Sequence, residues 1–175
     1  MALRLQNLDE ETRQIMLSEI DADIASGSLY VSPRLSARGA AEYPNLMKTA
    51  AHGGTDTTLA LALARPGVLN EFEPRRTKNG VSQVKVPVTA HETLSEGEFN
   101  RFYIRALCAR AIEAGRAEVT VYRAKEVMNA RAESVAKIGA RVSAQQLLDD
   151  LRANPGVDTA LGLPAGPNSG LSVHL

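Results

Sequence analysis

The segment from Ser95 to Gly115 constrains the fold of this chain more than any other. Ser95 and Glu98 form a capping box, in which each side chain can bind the backbone N–H of the other residue at a helix start. Gly115 suits the left-handed backbone that often ends a helix. The apolar residues in between cover more than one stripe, which is typical of a helix at the centre of a fold. The sequence therefore predicts a central helix over residues 99–114.

A β-hairpin is predicted before this helix. The turn signal is Lys78-Asn79-Gly80, which separates two apolar stretches at residues 68–72 and 81–88. In the second stretch Val84, Val86 and Val88 alternate with other residues and predict one buried face. Pro87 lacks the N–H that a central strand needs, so this strand is expected at a sheet edge or to end there.

A strand is predicted after the helix, where valines alternate with polar residues over residues 117–122. Helices and strands in this order indicate an α+β fold. We expect a small mixed sheet, made of the hairpin and this strand, packed on the central helix. The pattern leaves open whether the strands run parallel or antiparallel.

Residues 1–27 are predicted to form an acidic N-terminal helix. Asn7 and Glu10 match a capping box, and Gly27 matches a left-handed C-terminal cap. Six carboxylates in this segment oppose only two arginines, Arg4 and Arg13. The helix is therefore a candidate partner for a basic surface.

The rest of the chain divides by composition. Residues 28–54 are interpreted as an extended connector with a short helix that begins at Pro44. Residues 55–153 form the predicted α+β core, with further helices beginning near Asp56 and at Ser143. Residues 154–175 are Pro- and Gly-rich and are predicted to form an extended tail. We expect deletion of residues 155–175 to leave the monomer folded and to weaken its assembly.

The middle of the chain is basic although the formal net charge of the protein is +0. Residues 74–131 hold eleven lysines and arginines against six glutamates. One interpretation pairs this region with the acidic first helix, within the chain or across a subunit contact. The other places nucleic acid there, with Arg101 and Arg105 one helical turn apart and able to reach phosphates.

Signatures of common catalytic and metal sites are absent from the sequence. There is no phosphate-binding loop, dinucleotide fingerprint or nucleophile elbow. The three histidines are far apart, and the single cysteine, Cys108, matches a buried small hydrophobe. We therefore expect no cofactor, no metal and no catalytic residue. If the protein were an enzyme, the first residues to test would be Glu98, Tyr103, Arg105 and Tyr122.

No apolar run approaches the length of about 20 residues that a membrane span needs. The first residues lack the apolar region of a secretory signal. We expect a protein without membrane partners that resides in the cytoplasm or in an assembled particle, and that is not secreted by a signal peptide.

These observations lead to one functional expectation with two alternatives. The leading hypothesis is a structural or interaction protein, a non-catalytic subunit of a large virion- or phage-particle-like assembly. Its partners would be other protein subunits, in a homo-oligomer or a hetero-assembly, held by charged contacts and by the tail across a neighbour. The alternatives are a nucleic-acid-binding module that uses residues 74–131 and an enzyme of unidentified class. The residues expected to make the contacts are Asp9, Glu10, Glu19, Asp23, Arg75, Arg76, Arg101 and Arg105.

Overall fold

Three helices precede the first strands in this computed structural model, which describes residues 2–78, 80–156 and 170–175. The helices are α1 (Glu10–Ser26), α2 (Ala37–Gly53), α3 (Asp56–Leu63), α4 (Ala90–Glu113), α5 (Ala132–Ala136) and α6 (Ala144–Ala153). The strands are β1 (Phe72–Thr77), β2 (Gly80–Lys85), β3 (Glu118–Arg123), β4 (Arg141–Ser143) and β5 (Leu171–His174). The α+β class predicted from the sequence is confirmed.

The strands form two antiparallel sheets where the sequence suggested one mixed sheet. Among the described residues β1 and β2 pair only with each other, in a hairpin whose register joins Phe72 to Lys85. The second sheet has the order β4-β3-β5. The hairpin lacks the buried face that would attach it to that sheet, since β2 is exposed along most of its length and Val88 is exposed too.

Helix α4 lies at the centre of the fold, as predicted, but it begins earlier. Its N-cap is Thr89, and Ser95 and Glu98 are buried within the helix, so the predicted capping box is wrong. Ser95 Oγ instead donates a hydrogen bond to the carbonyl of Glu92. No residue between Thr89 and Ser95 breaks a helix, so α4 begins before the capping pattern at Ser95.

Helix α1 ends at Gly27, as predicted, with a φ of 72°. Its N-cap is Asp9 and not Asn7, because the Asp9 side chain accepts a hydrogen bond from the backbone of Thr12. Asn7 contributes its carbonyl oxygen, which accepts a hydrogen bond from Thr12 Oγ1.

Helix α2 replaces much of the predicted connector at residues 28–54. It begins after Ser36, whose side chain caps it by accepting a hydrogen bond from the backbone of Gly39. Pro44 lies inside the helix and does not begin it. A proline there removes one helical donor, and packing of the buried Tyr43 and Met47 outweighs that loss.

One hydrophobic core includes both ends of the described chain. Met16 and Ile20 of α1 pack in it with Phe99 of α4, and Leu171 and Val173 of β5 belong to the same cluster. Strand β5 pairs with β3, and Leu171 and Val173 of β5 are buried. Leu171–His174 are therefore part of the folded body and not of an extended tail. Residues 157–169 of the predicted tail lie outside the described residues.

Candidate functional site

The acidic helix α1 and the basic residues of α4 meet within the chain. Arg105 donates to Asp23 through Nη1 at 2.6 Å and Nη2 at 2.9 Å, and to Glu19 through Nε at 2.8 Å. The Arg105 side chain is only 3% exposed. Three residues named as candidate contact residues therefore meet inside the monomer, which is the within-chain alternative of the sequence interpretation. The physical reason is that packing of α1 on α4 brings their charged faces together.

Arg152 on α6 joins the same cluster, and no sequence pattern identified it. Its Nε lies 3.1 Å from Glu19 Oε2, so Glu19 binds two arginines. Burial alone would raise the pKa of Glu19, but the hydrogen bonds and charges of Arg152 and Arg105 lower it overall. Glu19 is held ionised as the link between α1, α4 and α6.

Arg101 has a different role from the one expected. It is buried, and its Nη1 donates to the backbone carbonyls of Leu151 and Asn154 at the end of α6. Its Nε lies 3.5 Å from Glu98 Oε1. Burial raises the pKa of Glu98, although Arg101 opposes that rise. Arg101 and Arg105 are thus interior groups that cannot reach phosphates, which corrects the contact proposed for them.

Asp9 also finds its partner within the chain. Arg110 of α4 binds Asp9 through Nη1 at 2.9 Å and also binds Glu11. Both carboxylates are largely exposed, so this pair stabilises the fold less than the Arg105 cluster does. Glu10, the remaining acidic residue of the predicted contact set, accepts a hydrogen bond from Gln14 on the same helix.

The four residues named for an enzyme make their contacts in two separate places. Arg105 lies in the cluster with α1, and Glu98 pairs with Arg101. Tyr103 and Tyr122 bind the segment before α1, where each hydroxyl accepts a backbone N–H, from Asn7 at 3.1 Å and from Gln6 at 3.3 Å. Together these contacts describe helix packing and attachment of the N-terminal segment.

Cys108 is buried in the core, and burial raises the pKa of its thiol to about 12. A thiol in that environment is protonated near neutral pH and is a poor nucleophile. Within residues 2–78, 80–156 and 170–175 no group of three or more His, Cys, Asp or Glu side chains is placed to hold a metal ion. None of the helices in these ranges is long and apolar enough to cross a bilayer.

Arg75 and Arg76 belong to the β1–β2 hairpin, which we call the arm (residues 72–78 and 80–85). Both arginines are exposed, and Phe72 and Val81 are 46% and 67% exposed. The arm is fixed to the body at its base, where Arg34 binds Glu73 through Nε and through Nη2 at 3.1 Å. Both faces of this two-stranded sheet are therefore largely open to solvent.

The arm carries an unneutralised positive charge. Glu73 is its single carboxylate, and the hydrogen bond from Arg34 lowers the pKa of that group. Among the described residues no carboxylate lies within ion-pair distance of the four cations of the arm, which are Arg75, Arg76, Lys78 and Lys85. Most of the exposed cations of the predicted basic region, residues 74–131, therefore lie in the arm.

The hydrogen-bond register of the arm determines which backbone groups face outward. Val86 N donates to Glu71 O at 3.0 Å, so residues 71 and 86 form a hydrogen-bonded pair. Such pairs alternate along an antiparallel ladder, which leaves the backbone groups of every second residue pointing away from the partner strand. On β2 these outward residues are Val81, Gln83 and Lys85, and on β1 they include Pro74.

A cleft of about 420 Å³ lies at the base of the arm. Its wall includes Leu63 at the end of α3, Leu69 in the loop before the arm, and Lys85, Val86 and Val88 from β2 and the segment after it. His91 of α4 lines it as well. Arg65, Asn70 and Glu71 also line the cleft, so its walls are mixed polar and apolar. The arm and this cleft form one continuous candidate surface.

Comparison with protein-family models, with curated proteins and with solved structures found no match to this chain.

Proposed function

We propose that the protein is a non-catalytic interaction subunit of a larger assembly and that the arm is its docking element. The observation that carries this proposal is the exposure of both faces of a two-stranded sheet. A lone two-stranded hairpin is only marginally stable in water. Contact with a partner would bury the exposed faces of the arm and stabilise it. We propose that the assembly is a virion- or phage-particle-like one.

The charge pattern supports a partner other than the acidic helix of a second copy. Glu19 and Asp23 already bind Arg105, and Asp9 binds Arg110 within the chain. The contact set expected from the sequence therefore reduces to Arg75 and Arg76 of the arm. Docking through the arm leaves the ion pairs of the body undisturbed.

Site-specific photocrosslinking tests this function. A photoreactive p-benzoylphenylalanine would replace Ser82, which is exposed on β2, or Ala22, which is exposed on α1 as a matched control. In the cells that produce the protein we expect a discrete adduct from position 82 and none from position 22. Equal labelling at the two positions, or no adduct at position 82, would contradict docking through the arm.

A nucleic-acid-binding module is a second candidate, favoured by the four exposed cations of the arm. A two-stranded ribbon fits the major groove of DNA. Binding of a 20-base-pair duplex should then weaken with salt, with a slope in log–log form of about −0.9 for each phosphate contacted. Arg76→Gln should reduce the slope by about 1. A control, Lys48→Gln at an ion pair on α2, should leave the slope unchanged. No duplex binding at low salt would exclude this candidate.

A further inference from the structure

We propose that the outer edge of β2 accepts an extended acidic segment of a partner protein as a third strand of the arm. This inference rests on the proposed function, because it specifies how the arm docks and on what. Strand addition of this kind derives affinity from backbone hydrogen bonds and specificity from alternating side chains.

The edge of β2 has the donors and acceptors that strand addition requires. The N–H and C=O groups of Val81, Gln83 and Lys85 point away from β1. None of them has a hydrogen-bond partner among the described residues. Alternate residues of a strand are spaced by about 6.8 Å, which matches the spacing of outward groups in any extended peptide.

The two edges of the arm differ in a way that selects β2. Pro74 occupies an outward position in the middle of β1 and has no N–H to offer. Proteins often protect exposed edges with proline or lysine. The β2 edge has no proline, and its single lysine, Lys85, lies at the last position of the strand. An incoming strand therefore finds a complete set of backbone groups only beside β2.

The side chains of the arm indicate the chemistry of that strand. Arg76 and Lys85 share one face of the hairpin, and Arg75 lies on the other. Carboxylates directly opposite lysines in a sheet are stabilising, whereas like charges are destabilising. A second copy of the basic arm would add repulsion, so an acidic segment fits this edge better than β2 of another copy.

The cleft at the base of the arm adds an anchor point. Lys85, at the end of β2, lines it together with the apolar Leu69 and Val86 and with the charged Arg65 and Glu71. A strand that pairs along β2 would end beside this cleft. An apolar side chain next to the paired segment can enter the cleft and be removed from water, which is how many interfaces gain affinity.

The experiment uses two fluorescein-labelled hexapeptides, one alternating Glu with Val and one alternating Lys with Val, with binding measured by fluorescence anisotropy. We expect the acidic peptide to bind at least about tenfold more tightly than the basic one, a ratio that corresponds to about 1.4 kcal/mol. Hydrogen exchange measured by NMR should slow at the amides of Val81, Gln83 and Lys85. The amides of Ser82 and Val84, which already bond to β1, should change little.

Two variants separate edge pairing from simple charge attraction. Gln83→Pro removes one outward N–H and leaves the bonds between β1 and β2 in place, whereas Gln83→Ala retains that N–H. We expect Gln83→Pro to weaken binding of the acidic peptide about tenfold and Gln83→Ala to leave it within about twofold. Retained slow exchange at Ser82 and Val84 verifies that the arm is folded in both variants.

The proposal is overturned if neither peptide binds, if both bind equally, or if binding leaves the three outward amides unprotected. It is also overturned if Gln83→Pro and Gln83→Ala bind alike with a folded arm. Binding of the 20-base-pair duplex in place of the acidic peptide would assign the arm to nucleic acid. In each of these cases crosslinking from position 82 would still show whether the arm docks, so the two proposals fail independently.

Discussion

Arg105 and Asp23 are joined side by side, with two nitrogens of the guanidinium each donating to a different carboxylate oxygen. The pair connects α4 to α1 and lies almost wholly out of solvent. Burial alone would lower the pKa of Arg105, but the hydrogen bonds and charges of Asp23 and Glu19 raise it overall. The charged groups that suggested contacts between subunits therefore hold the monomer together.

Removing the arginine from this cluster should be costly. Arg105→Ala leaves Glu19 and Asp23 with a buried negative charge, and we expect it to lower the free energy of unfolding by about 3–5 kcal/mol. Arg110→Ala is the matched control, since its carboxylate partners are exposed, and should cost about 1 kcal/mol or less. Urea unfolding measures both, and equal losses would contradict the structural role of Arg105.

Glu19 should make the protein less stable in acid. Its pKa in the folded state is lowered from the usual value, so its contribution is complete above the unfolded-state pKa and is lost as the pH falls through the folded-state value. Glu19→Gln should therefore be less stable than the parent protein near neutral pH, by about 1–3 kcal/mol. The deficit should shrink below about pH 4 when unfolding is followed across a pH series. A deficit that does not change with pH would show that Glu19 is not held ionised.

Glu98 should show the opposite dependence on pH. Burial raises its pKa, so the folded state holds the proton more tightly than the unfolded state does. The parent protein then loses stability as the pH rises from the unfolded-state pKa through the folded-state one. Glu98→Gln avoids that loss, because the glutamine amide does not ionise. In this variant Arg101 keeps its hydrogen bonds to the carbonyls of Leu151 and Asn154. The stability of Glu98→Gln relative to the parent should increase as the pH rises from the unfolded-state pKa through the raised folded-state pKa. A constant difference would contradict the raised pKa.

Strand β5 should be needed for folding. Val173 is fully buried, whereas Val88 is 88% exposed, so the two residues make a matched pair. Val173→Ala should lower the free energy of unfolding by about 2 kcal/mol, and Val88→Ala by less than about 0.5 kcal/mol. Removal of residues 171–175 should be more damaging still, contrary to the expectation from the sequence. An unchanged thermal unfolding midpoint after Val173→Ala would place β5 outside the core.

Two glycines of α2 should respond in opposite ways to alanine. A Cβ on Gly39 would lie 2.0 Å from the carbonyl oxygen of Val68, whereas a Cβ on Gly53 would have nothing within 4 Å. Gly39→Ala should therefore destabilise the protein by about 1–3 kcal/mol. Gly53→Ala should be neutral or stabilise it by up to about 1 kcal/mol, because alanine loses less backbone entropy on folding. Chemical denaturation would distinguish them, and similar midpoints would contradict the close approach at Gly39.

Several local elements were predictable because their signals lie within a few residues. Ser143 caps α6 by accepting a hydrogen bond from the backbone of Gln146, as its pattern indicated. β1 and β2 pair as the predicted hairpin, and alternation of valines identified β3. Prediction was weaker at helix starts, since the patterns at Ser95 and Pro44 placed the beginnings of α4 and α2 too late.

The acidic and basic segments of the chain, and therefore its capacity for charged contacts, are properties of the sequence by itself. Their partners depend on tertiary structure, because Glu19 and Arg105 are 86 residues apart and meet only when α1 packs on α4. The same holds for β5, whose short Leu-Ser-Val-His stretch becomes a strand by pairing with β3. Periodicity and capping are local signals, whereas contacts between distant segments depend on how the apolar faces pack. That packing leaves the cations of the arm exposed.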